Sequence, residues 1–217
     1  MPDHPKTNDA CRHAPATARN REPILQVLQR VLPATGTVLE VASGTGEHAI
    51  FFAPRLQPRI WQPSDPNPEM VASIAAWQQE WPANNLRSPL QLDTRDSVWP
   101  VETASDGSDR SDPAITAIVC CNMIHIAPWS AGLGLLAGAG RILPPGGILY
   151  LYGPYKQNGQ HTAPSNELFD ESLRSQNPEW GVRNLEDVVA AAKAQNLIFL
   201  ETVPMPANNF SVVFQHG

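Results

Sequence analysis

Nowhere in this sequence does an apolar run reach the roughly 18–20 residues that a membrane span requires, so no transmembrane helix is expected. The first 20 residues are polar and lack the hydrophobic core of a signal peptide, so secretion is not expected either. Cysteine is scarce, with 3 in all. Cys120 and Cys121 are adjacent, so on a strand they face opposite sides. They can neither share one metal ion nor form an undistorted disulfide. They read as reduced, structural residues of a cytoplasmic protein. Metal-ligand spacings of the C-x-x-C or H-x-x-x-H type are missing, so Cys11 and the histidines are assigned no metal. Positive charge is not in surplus: 15 Lys and Arg against 21 Asp and Glu leave a net charge of -6. A mildly acidic surface attracts neither a nucleic-acid backbone nor an anionic membrane, so neither is the expected partner. Internal repeats are absent.

What is present is a core. The 217 residues are 42% apolar, enough for one sizeable domain. Residues 1–19 read as a flexible N-terminal arm and 20–217 as a single domain. Proline is abundant, at 22 residues, about twice the usual share of roughly 5%. Many prolines fall at joints, where they stiffen connections and lower the entropy of the unfolded chain.

Pro23 and the spacing of Ile24, Leu25, Val27, Leu28, Val31 and Leu32 predict a helix with Pro23 in its first turn. Strands are expected at Thr37–Val41, Arg59–Gln62, Pro89–Leu92, Ile115–Cys121 and Ile148–Tyr152. Helices are expected between them, from His48 to a break at Pro54, over Glu69–Glu80 and over Trp129–Ile142. Glu102–Pro113 is a polar loop too poor in apolar residues to pack. Gly153–Ser165 reads as irregular, followed by helices near Asn166–Arg174 and Leu185–Ala194. The last strands, Leu197–Val203 and Phe210–Phe214, are joined too tightly for a crossover helix, so that pair must be antiparallel. Alternating strands and helices imply a parallel sheet. The expected fold is α/β: a three-layer, doubly wound, Rossmann-like sheet of seven strands, mostly parallel with a terminal antiparallel strand. That is the outline of class I S-adenosylmethionine-dependent methyltransferases.

Glu40-Val41-Ala42-Ser43-Gly44-Thr45-Gly46 closes the first strand at the edge where such sheets bind ligands. Glycine lets a ligand approach the backbone closely. Gly44 to Ala49 also fits G-x-G-x-x-A, so a nicotinamide dinucleotide competes. Asp65, 19 residues after Gly46, can accept both ribose hydroxyls and suits either cofactor. Glu40 suits the cationic methionine moiety of S-adenosylmethionine and would repel a pyrophosphate. Asp93, ending the third strand, can accept from an adenine amino group.

The chain resembles, over nearly its whole length, the methyltransferase-like protein 26 family. The matching stretches include RNREPI (Arg19 to Ile24), VLEVASGTGEH (Val38 to His48), WQPSD (Trp61 to Asp65) and CNMIHIAPW (Cys121 to Trp129). They continue through LYLYGPYKQNGQHTAPSN (Leu149 to Asn166), PEWGVRNLEDV (Pro178 to Val188) and MPANNFSVVF (Met205 to Phe214). The resemblance implies the seven-strand fold and S-adenosylmethionine binding, with S-adenosylhomocysteine as product, and names no acceptor. One departure from methyltransferases generally is Ala42, where glycine is usual.

The expected cofactor-binding set is Arg19, Asn20, Glu40, Ala42, Ser43, Gly44, Gly46, Asp65, Asp93, Asn122 and Met123. Asn20 has a competing reading as a helix cap. Methyl transfer is an in-line displacement in which positioning can supply most of the acceleration, so few residues need do chemistry. His125 is a candidate base, because its ordinary pKa lies near neutrality; Tyr155 is the other candidate catalytic group. Each has a structural reading beside the catalytic one. His125, Tyr152, Tyr155, Lys156, His161, Asn166, Asn208 and Asn209 are the expected substrate pocket, under a long loop of the kind that covers active sites. Asn208 and Asn209 read equally as turn residues. The expected function is a methyltransferase for a small-molecule acceptor. A non-catalytic cofactor-binding sensor and an NAD(P)-dependent oxidoreductase are the alternatives.

Overall fold

The structure is a computed structural model, and it describes residues 10–103 and 113–217. The helices, in chain order, are α1 (Pro15–Val31), α2 (Glu47–Phe52), α3 (Pro68–Glu80), α4 (Pro100–Thr103), α5 (Trp129–Ile142), α6 (Pro164–Gln176) and α7 (Leu185–Lys193). The strands are β1 (Thr37–Val41), β2 (Ile60–Asp65), β3 (Leu90–Gln91), β4 (Ile115–Cys121), β5 (Ile148–Gly153), β6 (Lys156–Gln157), β7 (Gln160–His161), β8 (Leu197–Met205) and β9 (Asn209–His216).

Seven strands form one sheet in the order β3-β2-β1-β4-β5-β9-β8. β1 to β5 run parallel, and β9 lies antiparallel between β5 and β8. The chain's last strand is therefore the antiparallel one, as the short connection before it requires. β6 and β7 form a separate two-stranded hairpin inside the stretch read as irregular.

Strand alternation builds two cores. Leu39, Ile118, Leu149 and Leu151 face α5 and α7. Val38, Trp61, Val119 and Tyr150 face α1 and α2. Both faces are apolar because helices cover both, as parallel sheets require. No helix among the described residues is long and apolar enough to cross a membrane.

The N-terminal boundary differs from expectation. α1 begins at Pro15, which supplies a helical φ and needs no N–H in the first turn. Pro23 falls inside the helix, where it offers no N–H to the Arg19 carbonyl. Residues ahead of the helix pack on α3 instead of forming an arm. The Arg12 N–H donates to Ser73 Oγ at 2.9 Å, and Trp77 Nε1 donates to the Arg12 carbonyl at 2.9 Å. The arm's first nine residues, and most of the polar loop expected at 102–113, lie outside the described residues.

Candidate cofactor and acceptor site

The turn after β1 is a run of left-handed backbone: φ is +55° at Ala42, +57° at Gly44 and +95° at Gly46. Ala42 takes a conformation that favours glycine and carries the strain of its Cβ, of order 1 kcal/mol. The two glycines serve different ends. A Cβ on Gly44 would meet nothing within 4 Å, so its backbone faces open space. A Cβ on Gly46 would come within 2.9 Å of the Ile74 backbone. Gly46, expected against the cofactor, is instead where α2 and α3 close on each other. Ser43 also does structural work: its Oγ donates to the Glu40 carbonyl at 3.3 Å and accepts from the Ser64 N–H at 3.2 Å.

Asp65 takes the Gly44 N–H on Oδ2 and the Asn67 N–H on Oδ1, both at 2.9 Å. Burial raises its carboxyl above the ordinary range, and these two donors offset part of that rise. Each oxygen keeps a lone pair for a further donor. Glu40 is 2% exposed, and its Oε2 accepts the Trp61 indole N–H at 2.9 Å. Burial pushes its pKa up to about 7. Asp93 is bound by Arg95, whose Nε reaches Oδ1 at 3.0 Å, and this pairing holds its pKa down. Val41, Ala42, Leu92, Asp93 and Met123 line a cavity of about 120 Å³ at this edge. Pro66, the residue after Asp65, lines it as well.

Across β4 the edge changes character. Asn122 holds φ at +63°, which turns the chain sharply into one 3₁₀ turn, Met123–His125. His125 is fully buried, with its ring centroid 4.9 Å from that of Tyr155. The Arg183 N–H reaches His125 Nδ1 in a long contact of 3.4 Å. His125 Nε2 and the Tyr155 hydroxyl have no hydrogen-bond partner in the protein. Burial pushes the His125 pKa down to about 3 and the Tyr155 pKa far up. Both are neutral near pH 7. Neutral groups in this position can offer hydrogen bonds. A Cβ on Gly153 would come within 2.5 Å of Nε2, so the ring is packed against β5's end.

A buried acid holds this region together. Asp170 on α6 accepts from Lys156 Nζ at 2.9 Å, Arg174 Nε at 3.2 Å and the Val182 N–H at 2.7 Å. His161 Nε2 lies 3.4 Å from the same carboxylate. Burial alone would raise the Asp170 pKa, but these donors outweigh it and hold it low. Arg183 then ties the next loop to the β4 turn, donating to the Ile124 carbonyl at 3.0 Å and the Ala127 carbonyl at 2.7 Å. Lys156 and His161 thus serve Asp170.

The N-terminal candidates separate. Arg19 is exposed, and its side chain makes no hydrogen bond or ion pair among the described residues. Asn20 is buried within α1, far from either cap, and its Oδ1 accepts from His48 Nε2 at 2.9 Å. Asn20 also bonds the Tyr152 hydroxyl, whose pKa burial pushes up to about 12. This chain runs from α2 through α1 to the end of β5. Asn166 donates to Thr162 Oγ1 and to the Asn208 carbonyl, and Asn209 caps its own turn at the Pro206 carbonyl. Ala207 and Asn208 both have φ near +57°, so the hairpin asparagines act as turn residues.

Sequence reasoning missed His48, Asp170 and Arg183. VASGTGEH contains His48, yet nothing local marks it as a partner of Asn20. Asp170 lies in an expected helix and Arg183 in a stretch noted only for its resemblance, and no local pattern pairs either with the β4 turn.

Residues 11–216 match the family model described as "Protein of unknown function (DUF938)". Among solved structures, an O-methyltransferase family 2 protein from Planctomyces limnophilus in complex with apigenin is 18% identical at a TM-score of 0.67, covering 91% of this chain and 61% of that chain. CalO1, a methyltransferase in calicheamicin biosynthesis in its SAH-bound form, is 17% identical at 0.68, covering 93% and 54%. The mitomycin 7-O-methyltransferase MmcR is 11% identical at 0.73, covering 93% and 54%. These likenesses show the fold alone, the Rossmann-like fold that class I methyltransferases have. The chain spans between 54% and 61% of the length of those proteins.

Proposed function

This chain belongs to the DUF938 family of proteins of unknown function, and we propose that it is an S-adenosylmethionine-dependent methyltransferase acting on a small-molecule acceptor. The observation that carries this reading is the open cradle at Gly44. The backbone has no neighbour on its ligand side, the adjacent Asp65 carboxylate has lone pairs to spare, and an apolar cavity lies beside them. These are the needs of a nucleoside: hydroxyls for Asp65, and a flat base against Leu92, Met123 and Ala42. Ala42's strain keeps the turn compact where the cofactor's backbone contacts would form.

When bound, S-adenosylmethionine supplies an activated methyl group. The chain's own residues would hold and orient it. Asp65 would accept from the ribose and the wall of Asp93 and Met123 would bound the base. Tyr152, oriented by Asn20 and His48, would present a hydroxyl beside β4's end. Asn122, His125 and Tyr155 would bind the acceptor by hydrogen bonds without taking its proton. Such a site favours acceptors that are nucleophilic as they arrive. The stretches shared with the methyltransferase-like protein 26 family are taken to mark this same site. The free cysteines suit a reducing, cytoplasmic setting, and neither nucleic acid nor membrane is proposed as a partner.

The lack of a titratable group poised near neutrality at β4's end favours one second reading, a cofactor-binding sensor. Calorimetric titration with S-adenosylmethionine, S-adenosylhomocysteine, NAD and NADP tests the main premise. Binding of the first two alone is expected, and binding of a dinucleotide alone overturns it. Labelled cofactor incubated with a metabolite extract separates enzyme from sensor, because only the enzyme transfers label.

A further inference from the structure

A second cavity, of about 510 Å³, lies on the outer side of α2. On that short helix His48, Ala49 and Phe52 are buried toward the sheet, while Glu47 and Ile50 line the cavity with Pro54 of the following turn. The body of α2 therefore stands between this cavity and the strand-end edge. The volume falls within the roughly 300–1,000 Å³ of small-molecule sites.

Its chemistry is specific. The guanidinium carbons of Arg21 and Arg55 lie 4.6 and 3.9 Å from the centroid of one ring, that of Phe51. Arg55 donates to the Phe51 carbonyl at 3.0 Å. The Nε of Arg21 is buried without a hydrogen-bond partner. Neither arginine has a carboxylate within 4.0 Å among the described residues. The lining acid nearest in sequence to the loop, Glu47, is already committed. It accepts from the Ala14 N–H at 2.6 Å, from Thr45 Oγ1 at 3.2 Å and from His13 Nδ1 at 3.1 Å. Two like charges gathered at one ring repel unless an anion joins them, and a carboxylate matches the guanidinium fork. The other wall is aromatic. Trp81 is 47% exposed and tilts against Trp77 with centroids 5.0 Å apart. Glu80 also lines that wall, so a second anionic group there would be repelled.

We propose that this cavity is a binding site for a small aromatic monocarboxylate, with the carboxylate on Arg21 and Arg55 and the ring against Trp81. It is separate from the proposed methyl-transfer site and stands or falls without it. Calorimetric titration of the full chain with phenylacetate and indole-3-acetate tests it, with phenylacetamide as the neutral control. Both carboxylates are expected to bind with dissociation constants at or below the millimolar range, and the amide at least about tenfold more weakly, as the loss of a charge-assisted hydrogen bond implies. Arg21→Gln and Arg55→Gln should each weaken the carboxylates about tenfold or more, and Trp81→Ala severalfold, in proteins whose thermal melts match the parent. The proposal is overturned by no heat with either carboxylate up to about 10 mM, by equal binding of acid and amide, or by unchanged affinity in both arginine variants. If a variant fails to fold, the comparison of acid with amide on the parent protein still decides.

Discussion

The two halves of the sheet's carboxyl edge are built in opposite ways. Over β1 to β3 the candidate groups are a left-handed turn that faces open space at Gly44 and a buried acid, Asp65, that accepts the Gly44 N–H. Over β4 and β5 they are buried neutral rings, His125 and Tyr155, locked beneath an ion cluster at Asp170. The first half is assembled within a few residues of each strand. The second needs α6, the hairpin and residues 181–183 all in place. Burial moves pKa values in opposite directions in the two halves to the same electrical result: it raises the Glu40 carboxyl and lowers the His125 imidazolium, and each shift favours the neutral form. One edge is thus built by local turns, and the other by contacts between segments far apart in the chain.

The largest effect should come from breaking the second half. Asp170→Ala leaves Lys156 and the Val182 N–H without their buried acceptor. It should cost about 3–5 kcal/mol, read by urea unfolding. A loss under about 1 kcal/mol would mean that the cluster is not what holds the edge. Next come the two glycines. Gly46→Ala should cost about 2–4 kcal/mol, because the new Cβ meets the Ile74 backbone and φ is positive. Gly44→Ala should cost about 1 kcal/mol and yet weaken S-adenosylhomocysteine binding about tenfold or more, since its methyl projects into the cradle. Equal stability losses in the two would erase the distinction drawn between them.

Asp65→Ala should lose affinity like Gly44→Ala and also cost about 1–3 kcal/mol, because the Gly44 and Asn67 N–H groups lose their acceptor. A pH series sharpens the electrostatic contrast. Glu40 has a folded pKa raised from 4.5 to about 7, so the folded state binds the extra proton between those values. Its contribution is fully present below about pH 4.5 and is lost as pH rises through 7. Buried neutral His48, lowered from 6.5 to about 4, runs the other way and loses stability as pH falls through that window. Glu40→Gln keeps an acceptor for the Trp61 indole and removes only the first slope. Its stability advantage over the parent should grow by about 2–3 kcal/mol at most between pH 5 and pH 8. A constant gap would mean that Glu40 titrates normally. The smallest effect is expected outside both halves. Arg30→Ala removes an exposed pairing with Glu201 and should change stability by less than about 0.5 kcal/mol.

Legibility followed the same division. Glu40, Gly44 and Asp65 could be read because a strand, a turn and the next strand's end place them together by local rules. Ala42 stood out for the same reason, and its positive φ explains why glycine is usual there. Tyr152 and His125 could be located at strand ends, but their protonation could not be read, since it depends on what packs over them. Lys156 and His161 read as pocket groups because their acceptor, Asp170, lies further along the chain on α6. Asn208 and Asn209 had two readings, and the hairpin's own geometry selected turn chemistry. Arg19 was drawn to the cofactor by its motif, yet its side chain is exposed. The arm's boundary failed because Pro15 can begin a helix as readily as Pro23, and only the docking of residues 12–14 on α2 and α3 chooses between them.

The sequence by itself determined the order of strands and helices, the antiparallel return and the turn that forms the cradle. Apolar periodicity, proline and glycine act over distances of a few residues, so these features need no partner from far away. Tertiary structure alone decided which glycine faces open space and which faces a helix. It also decided which charges are spent on one another, and where two arginines meet on one phenylalanine. Those outcomes turn on burial and on contacts between segments tens of residues apart, and neither quantity exists until the chain has closed around its two cores.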